Sequence, residues 1–102
     1  MGDTDTTKIC WELRLYIAGK TPRSERAIEN LKRICDENLP GRHKIEIIDV
    51  KEHPEQAQRE DIVVTPTLIR HLPLSIRKII GDLSNEEGVL IGLELKKREY
   101  AW

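Results

Sequence analysis

A capped amphipathic helix set between two apolar strands constrains this chain more than any other feature. Over Ile9–Ile17, Trp11, Leu13, Leu15 and Ile17 alternate with Glu12 and Arg14, and the second face turns apolar towards the end. That alternation describes a strand with one side on a core. Ala18-Gly19-Lys20 ends it, and Thr21-Pro22 opens a helix with a hydroxyl cap and a proline at the first helical position, where its missing N–H costs nothing. Ala27, Ile28, Leu31, Ile34 and Cys35 recur at helical spacing as one stripe, with Arg26, Glu29, Asn30, Arg33 and Asp36 elsewhere on the helix. Asn38-Leu39-Pro40-Gly41 stops the helix, and Lys44–Val50 forms the second strand. Crossovers of this kind are right-handed, so the two strands lie parallel in a βαβ unit.

The C-terminal half is less decided. His53-Pro54 opens a short polar helix running to Glu60, with Ala57 its only apolar residue. Ile62-Val63-Val64 resumes apolar character ahead of Thr65-Pro66-Thr67-Leu68-Ile69, and Leu72-Pro73-Leu74 breaks any strand because proline has no ladder donor. Ile76–Ile80 gives a further short strand, stopped by Gly81-Asp82. Beyond it, Ser84 and Glu87 have the spacing of a capping box. The segment that follows reads two ways. Val89, Ile91, Leu93 and Leu95 alternate with Leu90, Gly92, Glu94 and Lys96 as in a strand, whereas the cap and the Glu/Leu/Lys content favour a helix. Gly92 within such a helix would cost roughly 0.5–1 kcal/mol relative to Ala.

Composition excludes several functions. The chain has 102 residues, enough for one domain, and with no Phe its core must be aliphatic. Its net charge of −1 supplies no field to gather nucleic acid or an anionic membrane, and Lys96-Lys97-Arg98 is too short to act as a patch. No apolar run approaches a membrane span, and residues 1–8 are polar, so no membrane insertion, no signal peptide and a cytoplasmic location are expected. Cys10 and Cys35 form neither a CxxC nor a zinc ribbon and are expected to be small buried side chains. His43, His53 and His71 are scattered and read as surface histidines; no metal is expected. Ser24 has no His–Asp arrangement in sequence to activate it, and no phosphate loop is present, so no catalytic residue and no cofactor are expected. Asp49, Glu52, Glu60 and Asp61 read as solvated charge.

The order Asp49-Val50, Pro54, Ala57, Ile62 and Thr65-Pro66-Thr67-Leu68 resembles the middle of thioredoxin-like domains, where the proline of such a Thr-Pro pair is cis. The dithiol motif is missing. A thioredoxin places CxxC where the first strand meets its helix, because the helix N-terminus stabilises a thiolate. Thr21-Pro22-Arg23-Ser24 stands there instead, and hydroxyls cannot perform dithiol–disulfide exchange. A more specific resemblance is to the KaiB family. It rests on Leu15-Tyr16-Ile17-Ala18-Gly19-Lys20-Thr21-Pro22 with Ser24, on Ile47-Ile48-Asp49-Val50, on Thr65-Pro66-Thr67-Leu68 and above all on Arg77-Lys78-Ile79-Ile80-Gly81-Asp82-Leu83-Ser84 continued by Val89–Leu93. It runs from about residue 9 to 95, leaving a flexible N-terminus over 1–8 and a short tail over 96–102.

The resemblance implies an α/β fold: a thioredoxin-like βαβ N-terminal half joined to a metamorphic, fold-switching C-terminal half. It also implies a non-enzymatic regulator that binds a KaiC-like ATPase ring in circadian or related timing control, with a homo-oligomeric (dimeric or tetrameric) ground state. The alternatives are a KaiB-like stress-response adaptor without a clock, and a thioredoxin-type redox protein, which the missing CxxC disfavours. By resemblance the partner faces the second helix and its flanks, Lys51–Val63. Lys51, Arg59, Asp61 and Ile62 are the candidate contacts there, with Arg26 and Arg77 as secondary ones. Pro66, Pro73, Gly92 and Glu94 are the candidate fold-switch positions.

Overall fold

A computed structural model describes residues 10–96. Ile9, the N-terminal segment 1–8 and all but the first residue of the tail lie outside the described residues. β1 (Trp11–Ile17), α1 (Pro22–Asn38), β2 (His43–Asp49), α2 (Pro54–Arg59), β3 (Thr67–Leu72), β4 (Arg77–Ile80) and α3 (Glu86–Gly92) follow in chain order. The strands form one sheet in the order β2-β1-β3-β4, with β1 and β2 parallel and the other pairs antiparallel. This is the thioredoxin-like α/β arrangement that the resemblance implies.

Alternation along β1 sorts the molecule into layers. Trp11, Leu13, Leu15 and Ile17 face α1 and α3, and join Ala27, Leu31, Ile34, Cys35, Leu68, Val89 and Leu93 in the main core. Tyr16 faces the other way and packs with Ile48, Ala57 and Ile69 beneath α2. The α1 start is as expected: the Thr21 hydroxyl accepts from the Ser24 N–H at 3.0 Å, and Pro22 occupies the first turn. The peptide bonds before Pro66 and Pro73 are cis, and those prolines bracket β3. Ile62-Val63-Val64 is not a strand; it forms the loop into β3, and Val63 is 87% exposed.

The ambiguous segment is helical here, with one correction. The cap is Asn85, whose side chain accepts from the Gly88 N–H at 3.1 Å, whereas Ser84 donates its own N–H to Asp82. A shift of one residue brings Val89 and Leu93, four apart, onto the core, and leaves Glu86 and Glu87 in the first turn, where the helix dipole favours carboxylates. A strand would bring Ile91 into line with Val89 and Leu93, yet it is only half-buried. Gly92 closes the helix instead of sitting mid-way along it.

Candidate protein-interaction surface

The turn between β1 and α1 is where a thioredoxin-like scaffold holds its chemistry. Gly19 turns the chain at φ 74° and donates its N–H to Asp49 Oδ1 at 3.2 Å. The same carboxylate oxygen accepts the Lys51 N–H at 2.9 Å. Asp49 therefore ties the β1–α1 turn to the start of the α2 connection; it is a structural acceptor, not free solvated charge. Behind the turn, the Thr21 hydroxyl meets the buried Ser24 hydroxyl at 3.0 Å, so both serve the helix start. The cysteines are free and unlike one another. Cys35 is buried in the main core, and burial, with Asp36 adding to it, pushes its thiol up to about 12. Cys10 is exposed, contrary to expectation, because it precedes the first ladder pair, Trp11 with His43. This arrangement offers no thiolate at the helix N-terminus.

On the other face, α2 and its exit present the candidate partner residues. Lys51 and Arg59 are exposed, and Asp61 is exposed at φ 56°. Ile62 is half-buried against the Tyr16–Ile48–Ala57–Ile69 cluster, and its N–H donates to the Ala57 carbonyl at 3.0 Å. Packing thus claims much of Ile62, and Val63 beside it is the apolar side chain offered to solvent. Lys78 of β4 holds this exit in place by donating to the Glu60 carbonyl at 3.0 Å. Arg26 and Arg77 lie on the opposite face: Arg26 Nε is 3.4 Å from Asp82 Oδ2, and Arg77 Nη2 is 2.9 Å from Glu94 Oε2. The structure therefore places Arg59, Asp61 and Ile62 together at the end and exit of α2, sets Lys51 before α2 with its ammonium against Gly19, and separates all four from Arg26 and Arg77.

The histidines are not all superficial. His53 is exposed before α2, but His43 and His71 are half-buried. His43 Nδ1 lies 2.8 Å from the Leu39 carbonyl at the end of α1. His71 faces Glu60 at 3.7 Å, and Glu60 also stands 3.7 Å from Arg14, so Glu60 too is more than solvated charge. Among the described residues, no three His, Cys, Asp or Glu side chains are placed to hold a metal ion, and no helix is long and apolar enough to cross a membrane.

Of the candidate switch positions, Glu94 meets a buried residue that sequence reasoning missed. Arg70, on β3, is 1% exposed. Its guanidinium lies over the Trp11 ring at 5.1 Å, donates to the Leu93 carbonyl at the end of α3, to the Ser75 carbonyl at 2.6 Å, and to Glu94 Oε1 at 3.0 Å. Glu94, at φ 65°, bridges Arg70 and Arg77, and these two guanidiniums, Arg77 foremost, hold its carboxyl below the usual range. A Cβ on Gly92 would stand 2.9 Å from Ile79 Cδ1. Pro66 is buried before β3, and Pro73 follows it. The only sequence signal for Arg70 was a lone charge in the apolar run Thr67-Leu68-Ile69-Arg70.

Residues 14–95 match the family model described as the KaiB domain. The chain belongs to the KaiB family. It is 54% identical over 83 residues to the "Circadian clock protein KaiB3" of Synechocystis, covering 81% of each chain. It is 48% identical over 92 residues to the "Circadian clock oscillator protein KaiB" of Microcystis aeruginosa, covering 90% of this chain and 88% of that one. Among solved structures, the N-terminal domain of Synechococcus elongatus SasA superposes with a TM-score of 0.70 over 90% of both chains at 21% identity. Chloroplastic thioredoxin z superposes with a TM-score of 0.69 over 88% of this chain and 81% of that one at 18% identity. These two likenesses concern the fold alone. This KaiB-family chain thus keeps the thioredoxin frame without the dithiol.

Proposed function

We propose that this protein is a non-enzymatic regulator that docks on a KaiC-like ATPase ring in circadian or related timing control, in the cytoplasm, using the α2 face. The supporting observation is a thioredoxin scaffold whose reactive corner is closed. Thr21 and Ser24 cap the helix there and Cys35 is buried, while Lys51 before α2 and Arg59, Asp61 and Val63 at its end and exit are exposed. A small surface with mixed charge and an exposed apolar side chain suits protein recognition better than bond-breaking chemistry. The family's named clock proteins give the timing context. The reading includes a dimeric or tetrameric ground state in which the segment from Pro66 to Glu94 leaves the arrangement described above. Native mass measurement with a KaiC homologue from the same organism tests it. A ring–protein complex weakened by Arg59→Ala or Asp61→Lys is expected, and no complex at micromolar concentrations overturns the proposal.

A further inference from the structure

We propose that α3 is a hinged strap: its C-terminal end turns on the buried Arg70 clamp, and its N-terminal end is latched by a stripe of side chains on α1. Arg26, Asn30 and Arg33 are spaced four and then three residues apart, so one face of α1 carries all three. Each reaches the chain that leads into α3. Arg26 Nε lies 3.4 Å from Asp82 Oδ2, Asn30 Nδ2 donates to the Asp82 carbonyl at 2.9 Å, and Arg33 Nη1 donates to Glu86 Oε1 at 2.8 Å. Arg33 Nη2 also donates to Asn30 Oδ1 at 3.4 Å, so neighbouring rungs support one another. Asp82 is held from its other oxygen as well, because Oδ1 accepts the Ser84 N–H at 3.1 Å. Glu86 opens the first turn of α3, so the Arg33 rung fixes where that helix begins against α1.

The two ends of α3 are held differently. At the C-terminal end Leu93 is wholly buried, and its carbonyl accepts from Arg70, which is itself buried. At the N-terminal end a hollow of about 360 Å³, lined by Ile79, Ile80, Gly81, Asn85 and Gly88 among others, lies between the first turn and the end of β4. The latch therefore holds this end from the side, and its ionic rungs stand in solvent, with Arg26 56%, Arg33 44% and Glu86 37% exposed. Exposed ion pairs are individually weak and are screened by salt, whereas contacts buried in the core are screened much less. The latch is thus the end that releases first, and the Arg70 clamp is the pivot. The other charges of α3 and its exit are engaged elsewhere: Glu87 lies 3.4 Å from Lys96, and Glu94 is shared by Arg70 and Arg77.

The strap is testable on the full chain alone and does not rest on the proposed function; failure to bind a KaiC homologue would remove that function and leave the strap standing. Amide hydrogen exchange, read by NMR and corrected for intrinsic rates, separates the two ends. The Gly88 and Val89 amides, which donate to the Asn85 side chain and carbonyl, report on the latched end. The Leu93 and Leu95 amides, which donate to the Val89 and Leu90 carbonyls, report on the pivot. Raising NaCl from about 0.02 M to about 0.5 M should speed exchange of the first pair about two- to fivefold and leave the second pair, and Leu31 of α1, unchanged. Arg33→Glu and Glu86→Arg should each produce the same loosening at low salt. Adding Arg33→Glu to Glu86→Arg should restore protection of Gly88 and Val89, since both variants lack the first-turn carboxylate and differ at the rung. The proposal is overturned if Arg33→Glu leaves Gly88 and Val89 as protected as in the parent, if the double variant is no better protected there than Glu86→Arg, or if salt loosens Leu93 as much as Val89.

Discussion

Replacing Arg70 by Met tests what holds α3 on the sheet. Methionine keeps most of the aliphatic stem and removes the guanidinium, leaving the Leu93 and Ser75 carbonyls and the Glu94 carboxylate without their donor. Ser75 and Glu94 are exposed and recover water, but Leu93 is wholly buried and its carbonyl does not. A stranded buried acceptor costs about 1–3 kcal/mol, hydrogen bonds to a charged group are worth about 1.5–3 kcal/mol, and the stacking on Trp11 adds about 0.5–1 kcal/mol. Relief from burying a cation offsets part of the total. The net expectation is a loss of about 2–4 kcal/mol, which lowers the melting temperature of a domain this size by about 10–25 °C. Urea unfolding followed by Trp fluorescence and by helical circular dichroism measures it. Arg70→Lys, which retains charge without the planar fork, should fall between. Glu94→Gln should cost less than Arg70→Met, because the carbonyl contacts remain. Since Glu94 is held below the usual carboxylate range, the stability it lends is present above that range and is lost as pH falls through its lowered value. Glu94→Gln should remove that part of the acid limb. An Arg70→Met protein within about 0.5 kcal/mol of the parent would refute the view that this guanidinium fastens α3.

Two further outcomes are expected. Gly92→Ala removes a helix-weakening residue, worth about 0.8–1.0 kcal/mol in a helix interior, but Gly92 ends α3 and its new methyl meets Ile79 Cδ1 at 2.9 Å. If the proposed fold switch operates, the shift towards the helical form should therefore be less than about fivefold, and should grow in an Ile79→Val background, which removes that atom; an NMR population ratio that ignores residue 79 would defeat this account. Alkylation near neutral pH should label Cys10 in the native chain and reach Cys35 only after denaturation, as intact mass will show. Because the folded chain holds the Cys35 proton up to about 12, stability should decline as pH rises above the ordinary thiol value of about 8.5, and Cys35→Ala should flatten that decline.

Local patterning was enough for the N-terminal half. Period-two alternation in Trp11–Ile17, the Thr21-Pro22 start and the Ala27–Cys35 stripe each follow from contacts within a few residues, and a right-handed crossover then leaves little choice of topology. The resemblance across Arg77–Ser84 and Val89–Leu93 indicated the KaiB family without any coordinates. Local pattern was not enough for the end of the chain. Val89–Leu95 satisfies a strand template and a helix template alike, and the choice made here depends on the distant partners that receive it: the main core, which Val89 and Leu93 share with Leu13 and Leu68, and Arg70 on the Leu93 carbonyl. The cap fell on Asn85 and not Ser84 for the same reason, since one residue of phase decides which side chains reach that core. Burial of Cys35 and exposure of Cys10, the acceptor role of Asp49, and the pairing of His71 with Glu60 likewise join residues that are far apart in sequence or differ only in what lies over them. Sequence by itself determined the N-terminal elements and the family because their signals are short-range and periodic; only the tertiary structure decided the form of the last segment, which charges are buried and which ends are fastened, because those depend on side chains that meet across the sheet.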